Sequence, residues 1–66
     1  MKWYAQHRQD WIEEVLSIFG FINREHLMRK FGVSRPQASA DLQHYQKLNP
    51  GAVVYNMSRK RYEAKL

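Results

Sequence analysis

Three helices followed by a β-hairpin, a mainly helical α+β fold, is what this 66-residue sequence predicts, and three observations predict it. Apolar residues recur at helical spacing in three segments, 1–19, 23–31 and 34–48. Gly20, Gly32 and the run Asn49, Pro50, Gly51 fall where those helices should stop. Beyond Gly51 the period shortens to two, and 52–64 alternates as a hairpin should.

The first helix is expected over 5–19. Tyr4, Trp11, Ile12, Val15, Leu16, Ile18 and Phe19 cover roughly 160° of its wheel, wider than one core-facing stripe needs. Ile12, Val15, Leu16 and Phe19 are expected to pack inward. Trp3, Tyr4 and Trp11 are then left near an edge, with His7 between them. Two readings stand: an exposed aromatic cluster that makes a dimer contact, or rings that complete a thin core. Phe21 and Ile22 suit a short third strand beside the hairpin. Asn23 is placed to cap the second helix, 24–31, with Glu25 in its first turn and Leu27, Met28 and Phe31 inward. Gly32 supplies the left-handed residue at its end.

Ser34 opens the third helix, and Ser34 with Gln37 has the form of a capping box, with Pro36 in the first turn. This helix should run to Leu48, because Pro50 disfavours helical geometry at Asn49. Ala52 to Tyr55 is then a strand, 56–60 a polar loop, and 61–64 the return strand, with Tyr62 and Ala64 on one side. That order of elements is the winged helix-turn-helix, and the whole chain, 1–66, reads as one such domain.

Charge and composition narrow the function. The net charge is +5, unevenly spread: residues 1–25 carry −1 and residues 26–66 carry +6. A basic half that also holds the third helix and the hairpin is the footprint expected of a nucleic-acid binder, although a solvated basic surface would look similar. With no cysteine there is neither a disulfide nor a thiolate metal site. The three histidines, His7, His26 and His44, have no metal-ligand spacing, and no cofactor is expected. No apolar run is long enough for a membrane span, and the polar stretch from Trp3 to Asp10 is unlike a signal peptide. A cytoplasmic, nucleoid-associated location is therefore expected. The six carboxylates are scattered, with no nucleophile–base pair and no phosphate loop, so an enzyme is not expected, nor is a small-molecule effector site visible.

With Ala38, Leu42 and Tyr45 turned to the core, the third helix presents Pro36, Ala40, Gln43, His44 and Lys47 outward. Gln37 and Ser39 flank that face, and Arg35 stands at its start. Arg35, Gln37, Ser39, Ala40 and Gln43 are the candidate base-contacting residues. Glutamine can pair with the N6/N7 edge of adenine, arginine with guanine, and small residues allow close approach. Gln37 has a competing task as the capping partner of Ser34, and Arg35 could take a phosphate instead. His44 and Lys47, farther along, suit phosphates. So do Ser34, Arg59 and Lys60 at helix start and hairpin tip, and Asn23 and Arg24 at the start of the second helix. The alternative for the tip is a flexible solvated loop.

These residues also carry a resemblance. Ile22-Asn23-Arg24, Leu27, Phe31-Gly32-Val33-Ser34, Pro36-Gln37-Ala38-Ser39, Asp41-Leu42, Tyr45-Gln46, Leu48, Pro50-Gly51, Val54-Tyr55, Ser58, Lys60, Tyr62 and Ala64 match one known pattern. It is that of the N-terminal winged helix of bacterial WYL-domain transcriptional regulators, of the CapW and BrxR type that controls phage-defence operons. The DeoR-type repressors are more distantly similar. The likeness runs from Gly20 to Ala64 and adds Ser58 to the expected backbone contacts. Family members continue into a WYL ligand-sensing domain, so effector sensing is not carried over.

The resemblance and the residues together imply a sequence-specific repressor that occupies a promoter as a homodimer on an inverted repeat of double-stranded DNA. Its half-sites would lie one helical turn apart, roughly 34 Å, or a multiple of that. An architectural DNA binder, such as a recombination directionality factor of a mobile element, is the alternative. A winged helix used for protein interaction fits less well, because the outer face of the third helix is not apolar.

Overall fold

The computed structural model describes residues 2–65, with side chains from residue 4 onward. Helix α1 spans Lys2–Phe19, strand β1 Phe21–Ile22, helix α2 Arg24–Phe31 and helix α3 Arg35–Leu48. Strands β2, Val53–Asn56, and β3, Arg61–Ala64, follow. The expected three helices and hairpin are present, and the short strand joins the hairpin in a three-stranded antiparallel sheet of order β1-β3-β2. Tyr55 pairs with Tyr62 and Ile22 with that same Tyr62 from the other side, so β3 is the central strand.

Local chemistry sets the joints. Gly20, at φ 83°, donates its N–H to the Leu16 carbonyl, and its own carbonyl accepts from Ala64, so one residue ends α1 and seats β1 on the sheet. Gly32, at φ 68°, does the same for α2 by donating to the Met28 carbonyl. A side chain at either position would be held in left-handed backbone that only glycine adopts freely.

One core joins the helices to the sheet. Ile12, Val15 and Leu16 from α1, Ile22, Leu27 from α2, Ala38, Leu42 and Tyr45 from α3, and Val53 are all buried in it. Trp11, Met28, Phe31, Val33, Tyr62 and Ala64 pack around its edge.

Several expectations change here. Phe19, expected inward, is 67% exposed. The helical period puts it on the correct arc, but it is the last residue of α1 and no element reaches far enough along the axis to cover it. It lines a hollow with Trp11, Val15, Phe21, His26, Arg29 and Lys30 instead. Trp11 takes the core-edge reading: its ring meets Phe31 edge-on at 5.6 Å. The Ser34–Gln37 capping box is only half formed. Ser34 Oγ accepts from the Gln37 N–H at 3.2 Å, but the Gln37 amide reaches Asp41. The complete box is on α2, where Asn23 Oδ1 accepts from the His26 N–H and His26 Nδ1 accepts from the Asn23 N–H. Asn56, expected in the loop, ends β2 and pairs with Arg61.

Candidate nucleic-acid interface

The αL residue Gly32 and the Ser34 cap turn the chain between α2 and α3, which sets the outward face of α3. Ala38, Asp41, Leu42 and Tyr45 form the buried stripe. Pro36, Gln37, Ala40, Gln43, His44 and Lys47 are exposed, and Ser39 is half-buried. The face predicted to meet DNA is therefore open.

That face shares a cleft with the hairpin. Asn23 and Arg24 from the start of α2, Ser39, Leu42, Gln43 and Gln46 from α3, and Tyr55, Lys60 and Tyr62 from the hairpin line a hollow of about 370 Å³. Of the predicted contact residues it gathers Asn23, Arg24, Ser39, Gln43 and Lys60. Arg35, Gln37, Ala40, His44, Lys47, Ser58 and Arg59 lie outside the cleft and are exposed, as is Ser34. Sequence reasoning missed Gln46, Tyr55 and Tyr62 as lining residues. Gln46 had a readable signal: it follows Ser39 by two helical turns and Gln43 by one, on a single stripe. The tyrosines had none, because which hairpin face turns toward α3 depends on the sheet.

Burial pushes the Tyr62 phenol above its ordinary value, Tyr55 beside it adds to this, and Arg24 opposes it. The phenol is thus a neutral hydrogen-bonding group in a cleft that otherwise carries two cations. Arg35 makes an ion pair with Glu25 at 3.5 Å, both side chains more than half exposed. Such a pair contributes about 0–1 kcal/mol, so a phosphate can recruit Arg35 from it at little cost.

The hairpin tip is built by Asn56. Its Oδ1 accepts from the Arg59 N–H at 3.0 Å, while its Nδ2 donates to Glu63 Oε1 at 3.2 Å. Arg61 Nε donates to Glu63 Oε2 at 2.7 Å, and the Arg61 guanidinium lies 4.2 Å from the Phe21 ring centre. Arg61 is thereby engaged within the sheet, which leaves Ser58, Arg59 and Lys60 as the exposed tip. The Arg61 bond, then that of Asn56, holds the Glu63 carboxyl below its ordinary value. A depressed carboxyl stabilises the folded hairpin above its unfolded pKa and loses that stabilisation as pH falls through the folded one. Amide resonances of Asn56 and Arg59 are therefore expected to hold steady through neutral pH and shift only on acidification below the usual carboxylate range.

Lys60 is the one non-glycine with positive φ among the described residues, at 55°. Left-handed backbone costs a side-chain-bearing residue roughly 1–2 kcal/mol relative to what glycine would experience. Lys60→Gly is expected to raise thermal stability slightly, which a melting curve measures.

Of the residues expected at a dimer contact, three have described side chains. The Trp3 side chain lies outside the described residues. Tyr4 and His7 are exposed, whereas Trp11 belongs to the core edge. Among the described residues no group of three or more metal-ligating side chains occurs, and no helix is long and apolar enough to cross a membrane.

Comparison with known proteins places the chain. A family model described as the BrxR transcriptional regulator winged helix-turn-helix domain matches residues 5–65. Proteins named DNA-binding transcriptional repressor CapW are similar along nearly the whole chain. The one from Escherichia coli (strain KTE188) is 41% identical over 63 residues, 96% of this chain. That from Stenotrophomonas maltophilia is 41% identical over 64 residues, 97% of this chain, and that from Pseudomonas aeruginosa 36% over 63 residues, again 96%. In each case the chain spans 21% of the relative's length.

Proposed function

Because the chain belongs to the BrxR transcriptional regulator winged helix-turn-helix domain family, we propose that it binds double-stranded DNA with sequence preference, as the operator-binding part of a repressor. In this reading α3 enters the major groove and the hairpin tip grips the neighbouring backbone. One observation carries it: the polar flank of α3, the start of α2 and the cationic wing tip line one open cleft. Ser39 and Gln43 offer donors and acceptors there, while Arg24 and Lys60 supply charge at its margins. The names of the relatives support repression as the outcome.

Attachment to DNA is expected to act through charge and selectivity through amides. Lys60→Ala should weaken binding to every duplex and flatten the dependence of log K on log salt by about one unit. Gln43→Ala should leave that slope alone and relax the preference at one base position, by about 1–3 kcal/mol. Selection of bound sites from randomised duplex DNA tests the reading directly. A short preferred sequence supports it. Recovery of no preference at all sinks it.

One domain of this size makes few base contacts, so a homodimer on an inverted repeat supplies the remaining selectivity. The exposed start of α1, with Tyr4 and His7, is the surface assigned to that contact. Selected sites would then be two-fold symmetric. Sedimentation that gives a strict monomer both free and on such a site ends the dimer proposal. The protein would act in the cytoplasm, on the nucleoid.

A further inference from the structure

Asp41 is the single buried charged residue among the described ones, 6% exposed on the inner stripe of α3. Three side chains converge on it with four hydrogen bonds. Arg8 of α1 donates from Nε to Oδ2 at 2.6 Å and from Nη2 to Oδ1 at 3.3 Å. Gln9 Nε2 donates to the Asp41 carbonyl oxygen at 2.9 Å. From one turn earlier on α3, Gln37 Nε2 donates to Oδ1, also at 2.9 Å. The first helix therefore fixes the carboxylate, and the carboxylate fixes the amide of an exposed glutamine in the first turn of α3.

We propose that Asp41 is a positioning residue for base readout: held by Arg8, it presents the Gln37 amide to DNA already oriented. The inference rests on the DNA-binding reading above and names the device by which one of its residues selects a base. Its chemistry follows from the atoms. A glutamine amide has two N–H donors and a carbonyl acceptor. Asp41 uses one donor, which leaves the other donor and Oε1 side by side. That pair complements the N7 acceptor and N6 donor of adenine in the major groove. A free glutamine loses rotamer freedom when it binds, and an amide reversed about its last bond presents the wrong pattern. Asp41 accepts but cannot donate, so only the nitrogen can face it, and the reversed orientation is disfavoured before DNA arrives. The capping role expected for Gln37 is thus not the one it performs.

The test is the base preference of the variants, measured on the site that the wild-type chain selects from randomised duplexes. Gln37→Ala should lower preference at one base pair by about tenfold. Asp41→Asn should lower preference at that same base pair by about two- to tenfold, the cost of orienting one side chain at the moment of binding. Other positions and the salt slope should not move. Added to Gln37→Ala, it should change nothing further at that position, since no amide remains to be oriented.

Should Asp41→Asn fold poorly, Arg8→Met combined with Asp41→Leu removes the network while replacing it with apolar volume, and should give the same single-position loss in a folded protein. A uniform weakening at all positions would mean that Asp41 only supports the fold, and would overturn the inference. So would a Gln37→Ala variant with every preference intact, which leaves the DNA-binding reading standing. A wild-type chain that selects no site overturns both.

Discussion

Arg8→Met is expected to leave a large fraction of the molecules unfolded near room temperature. The Arg8 side chain is 16% exposed and the Asp41 side chain 8%, so the pair sits largely out of water. Removing the cation leaves a buried carboxylate whose remaining side-chain donor is Gln37. Breaking a buried pair in this one-sided way typically costs about 3–5 kcal/mol. A core in a chain this small supplies about the same amount in total, ~3–5 kcal/mol. Urea or thermal denaturation followed by far-ultraviolet dichroism measures the loss. The informative control is the double replacement, Arg8→Met with Asp41→Leu. A buried pair exchanged for apolar side chains of similar volume is often neutral or stabilising, so most of the lost stability should return. A single variant as stable as the parent would show that water reaches Asp41 and that the pair contributes little.

Leu27→Ala is the second large effect. Leu27 is fully buried in the middle of α2, in the cluster that also holds Ala38 and Leu42 of α3. Truncating a buried leucine costs about 2–5 kcal/mol, from lost transfer energy and from the cavity left behind. The same chemical change at Leu48, which is 62% exposed, should stay within about 0.5 kcal/mol. The contrast is useful because both leucines lie on helices, and only Leu27 was expected inward from its spacing. Leu27→Ala should abolish DNA binding only through unfolding, and a stabilising osmolyte should restore both together. Were binding lost while the melting curve stayed put, the packing account of Leu27 would fail.

Much of the geometry of the candidate interface was legible because its determinants are local. The spacing of Ala38, Leu42 and Tyr45 gave the inner stripe of α3, and with it the outward set from Pro36 to Lys47. The wing followed from the change of period after Gly51, and its tip from the cluster of Ser58, Arg59 and Lys60. Gln37 shows where local reasoning stops. Both uses expected for it, capping and base contact, concerned its own helix, whereas its amide is engaged by a carboxylate that Arg8 holds from 33 residues away. Trp11 was ambiguous for the same reason: only the arrival of Phe31 from α2 makes it a core-edge ring. Arg61 adjoins the tip in the chain, but Glu63 with Phe21 takes it.

By itself the sequence determined the order and type of the elements and the polarity of each face. Those depend on periodicity, caps and left-handed glycines within a few residues. Tertiary structure decided which polar groups are spent and which are offered. It buried Asp41 against α1, left Phe19 open at a helix end, and brought Lys60 into one cleft with Ser39 and Gln43. A side chain's partner across the chain is set by how helices and strands dock, and docking is a property of the packed core as a whole.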